Sequence, residues 1–208
     1  MTLPITPKVQ LESIYLAILA AGTSRRFGST KQITQFNGTP LIQKAVDIAR
    51  QTGDNRTLIV AGHDWTNVIK AASDQGSFFA INEQYADGMG SSIATAVRAC
   101  QRRASAILLM LCDQPLITAS HLRSLIEKWS GNENEIIATA FAETTGPPVL
   151  FAKGTFADLL ALRGDQGANA LLHDPRFNLH TVQFADAAVD IDTLKDLDAL
   201  QGTAASRQ

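Results

Sequence analysis

The chain has 208 residues, of which 45% are hydrophobic and 18% are charged, and this length predicts one domain with a core of its own. Its 18 basic and 20 acidic residues give a net charge of −2, which argues against a general nucleic-acid-binding protein. The two cysteines and four histidines are too few and too scattered for a disulfide framework or a structural zinc site.

The start of the chain lacks the pattern of a targeting segment. Residues 1–13 (MTLPITPKVQLES) contain one lysine and two prolines, and they lack the apolar centre of a signal peptide. The first apolar run, Ile14 to Ala21, is far shorter than the roughly 20 residues of a membrane-spanning helix. We therefore expect a cytoplasmic protein without membrane contact, in which residues 1–13 are an N-terminal extension.

Short apolar runs alternate with amphipathic stretches from Ile14 to Ala140. The predicted strands are Ile14–Leu19, Thr57–Ala61, Phe78–Asn82, Ala106–Leu111 and Glu135–Ala140. The predicted helices are Thr39 (N-cap) with Pro40 to about Gln51, Asp64–Ser73, Ser91–Arg102 and Thr118–Trp129. The alternation predicts an α/β fold, with a mostly parallel twisted sheet and helices on both faces.

The pattern changes after Phe141. Residues 144–148 (TTGPP) predict a turn or loop, and Lys153 to Leu172 predicts two short helices separated by residues 163–165 (RGD). A strand over His180–Phe184 leads to residues 187–192, and a last helix begins at Thr193. No repeat or linker divides the chain, so we expect a single domain over residues 14–200 and a disordered tail over 201–208.

The first candidate ligand site is the loop that follows the first strand, Leu19 to Lys31 (LAAGTSRRFGSTK). Its small residues let backbone amides approach a ligand, and Arg25, Arg26 and Lys31 add positive charge, as in a cradle for a polyphosphate. Neither the P-loop pattern nor the dinucleotide pattern GxGxxG is present. On these residues alone, a basic surface loop is an equally good interpretation.

Two acidic segments are candidate metal sites. Asp113 follows the most apolar strand, and a carboxylate at a strand end can bind Mg²⁺, although with Pro115 nearby it could equally cap a turn. Asp190 and Asp192 (VDIDT) would share one face of a strand, where two like charges favour a cation between them. Asp192 could instead cap the last helix.

A weaker candidate is the segment 87–92 (DGMGSS), which opens a predicted helix. Gly90 and Ser91 could bind an anionic or sugar group there. A loop followed by a helix cap explains the same residues equally well.

Together, the motifs LAAGTSRRFGSTKQ, NGTPLIQKAV, LCDQP and VDIDT resemble those of the MobA-like nucleotidyltransferases. They are most similar to the molybdenum cofactor cytidylyltransferases of the MocA type. The similarity extends from about Ile14 to Leu200 and includes the segments NEQYADGMGSS, GPPVLF and GDQGANALL. It implies a Rossmann-like nucleotidyltransferase fold that binds a nucleoside triphosphate with Mg²⁺.

The resemblance also implies a role for each motif. The nucleotide would be bound by Leu19, Ala20, Ala21, Gly22, Arg25, Lys31, Gly90 and Ser91. Mg²⁺ would be bound by Asp113, Asp190 and Asp192, and the catalytic residues would be Lys31, Arg25 and Asp113. The acceptor would be bound by Gly146, Pro148, Asp165, Gly167 and Asn169. In this family the string Ala-Ala-Gly goes with cytidine and Ala-Gly-Gly with guanosine, so residues 20–22 favour CTP.

The implied activity is transfer of CMP from CTP to the phosphate of molybdopterin, with release of pyrophosphate and delivery of the product to a molybdoenzyme. The attacking phosphate is already ionised, so catalysis requires charge neutralisation and positioning rather than a general base. Asn169 stands where the family commonly has arginine. Two alternatives therefore stay open, a relative that uses another nucleotide or phosphorylated acceptor, and a non-catalytic carrier of the molybdenum cofactor.

Overall fold

The computed structural model of the chain describes residues 14–53, 56–73, 76–165 and 167–205. The predicted extension over residues 1–13 and the last three residues of the predicted tail, 206–208, lie outside the described residues. The described strands are β1 (Ile14–Ala20), β2 (Gln35–Phe36), β3 (Thr39–Pro40), β4 (Arg56–Ala61), β5 (Phe78–Ile81), β6 (Ala106–Leu111), β7 (Glu135–Phe141), β8 (Thr144–Ala152) and β9 (Asn178–Gln183). The described helices are α1 (Leu41–Gln51), α2 (Trp65–Ala72), α3 (Met89–Cys100), α4 (Ala119–Lys128), α5 (Phe156–Ala161), α6 (Asn169–Leu172) and α7 (Leu194–Ala205).

Seven of these strands form one sheet, in the order β5-β4-β1-β6-β8-β7-β9. Neighbouring strands pair in parallel, except that β8 runs antiparallel to both β6 and β7. The strands β2 and β3 pair separately. The predicted mostly parallel sheet is therefore confirmed.

The apolar core lies on both faces of the sheet, and the central strand β1 is therefore buried along its whole length. Leu16 and Ile18 pack with residues of α1, α2 and α4 on one face. Ala17 and Leu19 pack with residues of α3, α5 and α6 on the other. This arrangement confirms helices on both faces. No helix among the described residues is long and apolar enough to cross a bilayer.

The start of α1 differs from the prediction. Thr39 and Pro40 form β3, so the helix begins at Leu41 and Thr39 is not its N-cap. The backbone N–H of Leu41 donates to the carbonyl of Thr34 at 3.0 Å. Strand pairing therefore takes up the residues from which the sequence predicted a helix cap.

The segment 144–148 was predicted as a loop but belongs to β8. Ala142 and Glu143, with φ of 43° and 63°, form a two-residue turn that joins β7 and β8 in a tight hairpin. The register of this pair shifts between Ala138 and Thr139, and the two prolines lie opposite that irregularity, where strands tolerate them.

One prediction about the C-terminal part is also wrong. Asp190 and Asp192 do not lie in a strand, because the chain leaves β9 through a 3₁₀ turn (Ala185–Ala188) and then follows an irregular path. The helix α7 continues to Ala205, and the predicted tail stays a prediction. The side-chain amide of Gln201 donates to the carbonyl of Gln35 at 3.3 Å, which connects this helix to the rest of the fold.

The strand order reverses at β1. The chain places β4 and β5 on one side of β1 and then returns, through α3, to place β6 on the other side. Ligands of such sheets bind in the crevice beyond the carboxyl ends of the strands at the reversal. The loops after β1 and β6 meet at this point.

A buried histidine connects α4 to the β7–β8 hairpin. The Nε2 atom of His121 lies 2.8 Å from the hydroxyl of Thr139, and that hydroxyl donates to the carbonyl of Pro148 at 2.7 Å. The single hydroxyl proton is therefore used, so Nε2 donates to Thr139. The imidazole also stacks on Phe184, with 4.3 Å between ring centroids. Burial lowers the pKa of His121 from 6.5 to about 4.

We expect acid to destabilise the protein through His121. The pKa is 6.5 in the unfolded chain and about 4 in the folded protein, so the unfolded chain takes up the proton first as the pH falls. The contribution of neutral His121 to the free energy of unfolding is complete above pH 6.5 and is lost as the pH falls towards 4. Linkage gives about 2 kcal/mol of loss between pH 7 and 5.

Urea unfolding at pH 7 and pH 5 measures this loss. His121→Gln keeps a donor for Thr139 but has no titrating group, so the variant should lose about 2 kcal/mol less than the wild type over this range. His173→Gln changes an exposed histidine and should behave as the wild type. Equal losses in the wild type and His121→Gln would contradict the prediction.

Candidate active site

A cleft of about 440 Å³ lies beyond the carboxyl ends of β1 and β6. Its walls come from the loop after β1, from the segment before α3, and from three separate carboxylates. The lining residues are Leu19, Ala21, Gly22, Thr23, Ser24, Arg25, Arg26, Lys31, Gln32, Tyr85, Ala86, Gly88, Met89, Ser92, Leu111, Asp113, Asp165 and Asp192. The structure thus brings the glycine-rich loop, Asp113 and Asp192 together, although they are far apart in sequence.

Lys31 is bound between two carboxylates in this cleft. Its Nζ atom lies 2.8 Å from Oδ2 of Asp113 and 3.1 Å from Oδ1 of Asp192. The other oxygen of Asp192 pairs with Nη2 of Arg26 at 2.8 Å. Burial lowers the pKa of Lys31, but the charges and hydrogen bonds of the two aspartates more than offset this, so its pKa lies above the ordinary value. The ammonium group is therefore charged at neutral pH.

The backbone positions Asp192 beside Asp113. The N–H of Ile191 donates to the carbonyl of Asp113 at 2.9 Å. At the start of α7, Oδ2 of Asp196 accepts from the N–H of Thr193 at 2.7 Å and from that of Asp192 at 3.1 Å. Because Thr193 and Asp196 supply the cap, the carboxylate of Asp192 remains available to the cleft.

Asp190 has a different position from the other two acidic residues. It is exposed, and it is not part of the cleft wall. Neighbouring atoms nevertheless remove part of the water around its carboxyl group, which raises its pKa, and the charges of Asp192 and Asp113 raise it further. Asp190 therefore lies within electrostatic reach of the cluster, without sharing the contacts to Lys31 that join Asp113 and Asp192.

The carboxylates of Asp113 and Asp192 have the chemistry of ligands for a divalent cation. The Oδ1 atom of Asp113 is buried and has no hydrogen-bond partner among the described residues, which suits an atom that binds a cation. Within the same part of the chain, no group of three or more metal-ligating side chains is placed to hold a metal alone. Mg²⁺ often takes one or two carboxylates and completes its shell with substrate phosphates, and Asp113 with Asp192 fits that arrangement.

The glycine-rich loop is braced by a residue that sequence reasoning missed. The buried Gln32 donates from Nε2 to the carbonyl of Gly22 at 2.8 Å and accepts from the hydroxyl of Ser24 at 3.2 Å. That hydroxyl accepts from the N–H of Lys31 at 3.1 Å. The only signal in the sequence was the position of Gln32 next to Lys31.

The start of α3 presents other residues to the cleft than those predicted. The N–H of Gly90 donates to the carbonyl of Gly164 at 3.0 Å. The hydroxyl of Ser91 accepts from the amide of Asn82 and lies 2.8 Å from the carbonyl oxygen of Gln84. Both predicted residues thus hold this wall in place, whereas Ser92, Gly88 and Met89 line the cleft.

A second pocket of about 350 Å³ adjoins the cleft and shares Leu19, Met89 and Leu111 with it. Three of the residues predicted to bind an acceptor, Gly146, Gly167 and Asn169, line this pocket. Of the others, Asp165 lines the cleft, and Pro148 uses its carbonyl to accept from Thr139.

Gln114 lies between Asp113 and the wall of the second pocket, and the sequence did not indicate its role. Its Nε2 atom donates to the carbonyl of Ala187 at 2.9 Å and to that of Pro147 at 3.2 Å. It directly follows Asp113, and Pro147 lines the second pocket. Gln114 therefore fixes the β7–β8 hairpin relative to the end of β6.

Comparisons with known proteins agree with this geometry. The family model described as "MobA-like NTP transferase domain" matches residues 16–182. The chain is 26% identical to the purine catabolism protein PucB of Bacillus subtilis (strain 168), over 92% of this chain and 98% of PucB. Because the family model covers most of the chain, the chain belongs to the MobA-like NTP transferase family.

Two solved structures are similar over almost the whole chain. The homologue of Rv0371c from Mycobacterium sp. strain JC1 is 30% identical, with a TM-score of 0.82, over 94% of this chain and 98% of that chain. The complex of Rv0371C from Mycobacterium tuberculosis H37Rv with manganese is 27% identical, with a TM-score of 0.77, over 91% of this chain and 98% of that chain.

Gly62 keeps two walls of the cleft in contact. A Cβ atom at this position would lie 2.7 Å from Cβ of Tyr85 and 2.9 Å from Cβ of Ala21. Both neighbours line the cleft, and their Cβ atoms move only with the backbone. A side chain at Gly62 would therefore push the two walls apart.

We expect Gly62→Ala to lower the free energy of unfolding by about 1–3 kcal/mol, because the added methyl group overpacks this contact. Gly22→Ala is the control, since its Cβ would meet only Nε2 of Gln32 at 4.0 Å. Urea unfolding of both variants measures the difference. Equal stability of the two variants would contradict the proposed contact between the walls.

Proposed function

We propose that this member of the MobA-like NTP transferase family transfers CMP from CTP to the phosphate of molybdopterin and releases pyrophosphate. Membership of the family makes the chain a nucleotidyltransferase; the nucleotide and the acceptor are our proposal. The observation that carries it is the charged cluster of Lys31, Asp113 and Asp192, which lies in a cleft with basic residues that adjoins an apolar pocket.

The nucleotide occupies the cleft in this proposal. The loop from Leu19 to Gly22 offers backbone groups to the base and sugar, while Arg25 and Lys31 face the phosphates. Arg26 joins them, because it already reaches Asp192. Ala21 and Tyr85 both line the cleft, and in this proposal the methyl group of Ala21 limits the room for a purine base, which favours the smaller pyrimidine. Base choice also needs hydrogen bonds to the base edge.

A divalent cation, Mg²⁺ in our proposal, would be held by Asp113 and Asp192, with Asp190 contributing negative charge. The cation would supply neutralisation of the phosphates around the reacting phosphorus. The unpartnered Oδ1 of Asp113 supports this assignment. A related structure, that of Rv0371C, is a complex with manganese, which also supports a divalent cation in this family.

The chain's own residues then bind and orient the reactants. Lys31 neutralises the leaving pyrophosphate, and Gln32 holds the loop that carries it. The acceptor phosphate attacks as an anion, so no general base is required. Cys112 does not act as a nucleophile, because burial raises the pKa of its thiol far above the ordinary value. Catalysis therefore rests on position and charge.

The acceptor occupies the second pocket in this proposal, with its phosphate directed towards the cleft. Gly146, Gly167 and Asn169 line the pocket among mostly apolar side chains, which suits a flat ring system such as a pterin. Delivery of the product to a molybdoenzyme stays a prediction from the resemblance.

A second candidate is transfer to another phosphorylated acceptor. None of the described residues that line the second pocket is ionisable, and Asn169 stands where the family commonly has arginine. An acceptor whose far end carries no charge would fit this lining without leaving an unpaired charge in an apolar pocket.

Product analysis with the four nucleoside triphosphates tests the proposed reaction. We expect Mg²⁺-dependent release of pyrophosphate with CTP and molybdenum-bound molybdopterin, and a dinucleotide of the expected mass. Turnover with GTP, ATP and UTP should be slower. Preference for another nucleotide would refute the cytidylyl assignment, and turnover only with a different phosphorylated acceptor would support the second candidate.

Asp113→Asn tests the role of the carboxylate. The substitution keeps the shape of the side chain but removes its charge, so we expect the fold to persist and kcat to fall at least about 100-fold. Asp198→Asn, on the exposed surface of α7, is the control and should retain wild-type rates. Circular dichroism checks the fold, and near-wild-type activity of Asp113→Asn would contradict the proposal.

A further inference from the structure

The strand β5 is an unprotected edge of the sheet. Three of its four residues are large, apolar and exposed: Phe78 is 47% exposed, Phe79 38% and Ile81 39%. These are half of the six large hydrophobic residues that are exposed in the described part of the chain. The strand contains no proline and no charged residue, which are the features that protect most natural edge strands from pairing.

The opposite edge of the sheet has a different character. The strand β9 exposes the polar residues Asn178, His180, Thr181 and Gln183, as expected of an edge that faces water. The exposed apolar side chains are therefore found at the β5 edge of the sheet and not at the β9 edge. The β5 edge has the composition of a strand that is covered.

The charges around β5 are arranged with opposite signs at its two ends. Near its start, Arg98, Arg102 and Arg103 line a groove of about 330 Å³ together with Phe78 and Phe79. Just after its end, the exposed Glu83 follows. Glu83 lies five positions after Phe78, which is a distance of about 16 Å along an extended chain.

We propose that β5 pairs antiparallel with β5 of a second copy of this chain, around a two-fold axis, and joins the two sheets into one. In this arrangement Ala80 lies on the axis and Phe79 of one copy lies opposite Ile81 of the other, on the same face of the joined sheet, so apolar side chains cover each other. Antiparallel pairing also places Glu83 of each copy beside the arginines of the other. A two-fold interface requires such self-complementary charges.

The chain's own first residues are a poorer occupant of this edge. Residues 1–13 contain prolines at positions 4 and 7. In a strand, backbone N–H groups alternate in direction, so two positions three residues apart point to opposite sides. One of the two prolines would therefore remove a hydrogen bond from the pairing with β5. A second copy of β5 has no such defect.

Sedimentation equilibrium of the full chain tests the proposal, and we expect a dimer that dissociates on dilution. Phe79→Lys places a charge in the interface and should give a monomer. Leu194→Lys changes an exposed apolar residue on α7, away from β5, and should leave the dimer intact. Circular dichroism and urea unfolding verify that each variant is folded.

A charge exchange makes the test specific for this interface. Glu83→Arg alone, or Arg102→Glu with Arg103→Glu, brings like charges together and should weaken the dimer at least about tenfold. Mixing the two variants restores opposite charges on both sides of the axis and should restore a heterodimer. This recovery distinguishes loss of pairing from damage to the fold.

Three results would overturn the proposal. One is a monomeric wild type at all concentrations, and another is a dimer that persists in Phe79→Lys and in Glu83→Arg. The third is a monomeric full chain that dimerises when residues 1–13 are removed, because it would show that the chain covers its own edge. If β5 instead binds a different, acidic protein, the wild type alone would also be a monomer, and the proposal would be wrong.

Discussion

One ammonium group, that of Lys31, neutralises two carboxylates from distant parts of the chain, and the cleft is built around this contact. Without a cation between them, the carboxylates of Asp113 and Asp192 would repel each other at this partly buried position. Three separate sets of hydrogen bonds hold these residues in place. Ile191 pairs with the backbone of Asp113, Asp196 holds the backbone of Asp192, and the loop that ends at Lys31 is braced by Gln32.

The same contact would couple the binding of a metal ion to the binding of the nucleotide in the proposed reaction. A divalent cation and Lys31 would compete for the oxygens of Asp113 and Asp192, so the cation binds well only if Lys31 finds another anion. The phosphates of a bound nucleotide supply that anion. Metal and nucleotide are therefore expected to bind cooperatively, which suits a reaction in which every reactant is an anion. The buried Oδ1 of Asp113 has no hydrogen-bond partner among the described residues, which is consistent with this expectation.

The parts of this arrangement that could be predicted from the sequence are those set by strong local patterns. The unbroken apolar runs of β1 and β6 predict buried strands, and Asp113 directly follows one of them. The rest depends on long-range packing. The composition of residues 144–148 is that of a loop, and only pairing with β7 makes it a strand. At the start of α3, Asn82 donates to the hydroxyls of both Ser91 and Ser92, and of these two residues Ser92 lines the cleft. Gln114 contacts residues 33 and 73 positions away, and no local pattern indicates that role. The proposed division into an extension, one domain and a tail stays a prediction at both ends of the chain.

Binding of Mn²⁺, measured by electron paramagnetic resonance, tests the central role of this contact most directly. We expect the wild type to bind Mn²⁺ weakly alone and more tightly with CTP, beyond the binding seen in a mixture of Mn²⁺ and CTP without protein. Lys31→Met removes the cation that Asp113 and Asp192 share, so this variant should bind Mn²⁺ more tightly than the wild type when CTP is absent. Mn²⁺ binding that is unaffected both by CTP and by Lys31→Met would contradict the proposed exchange between Lys31 and a metal ion.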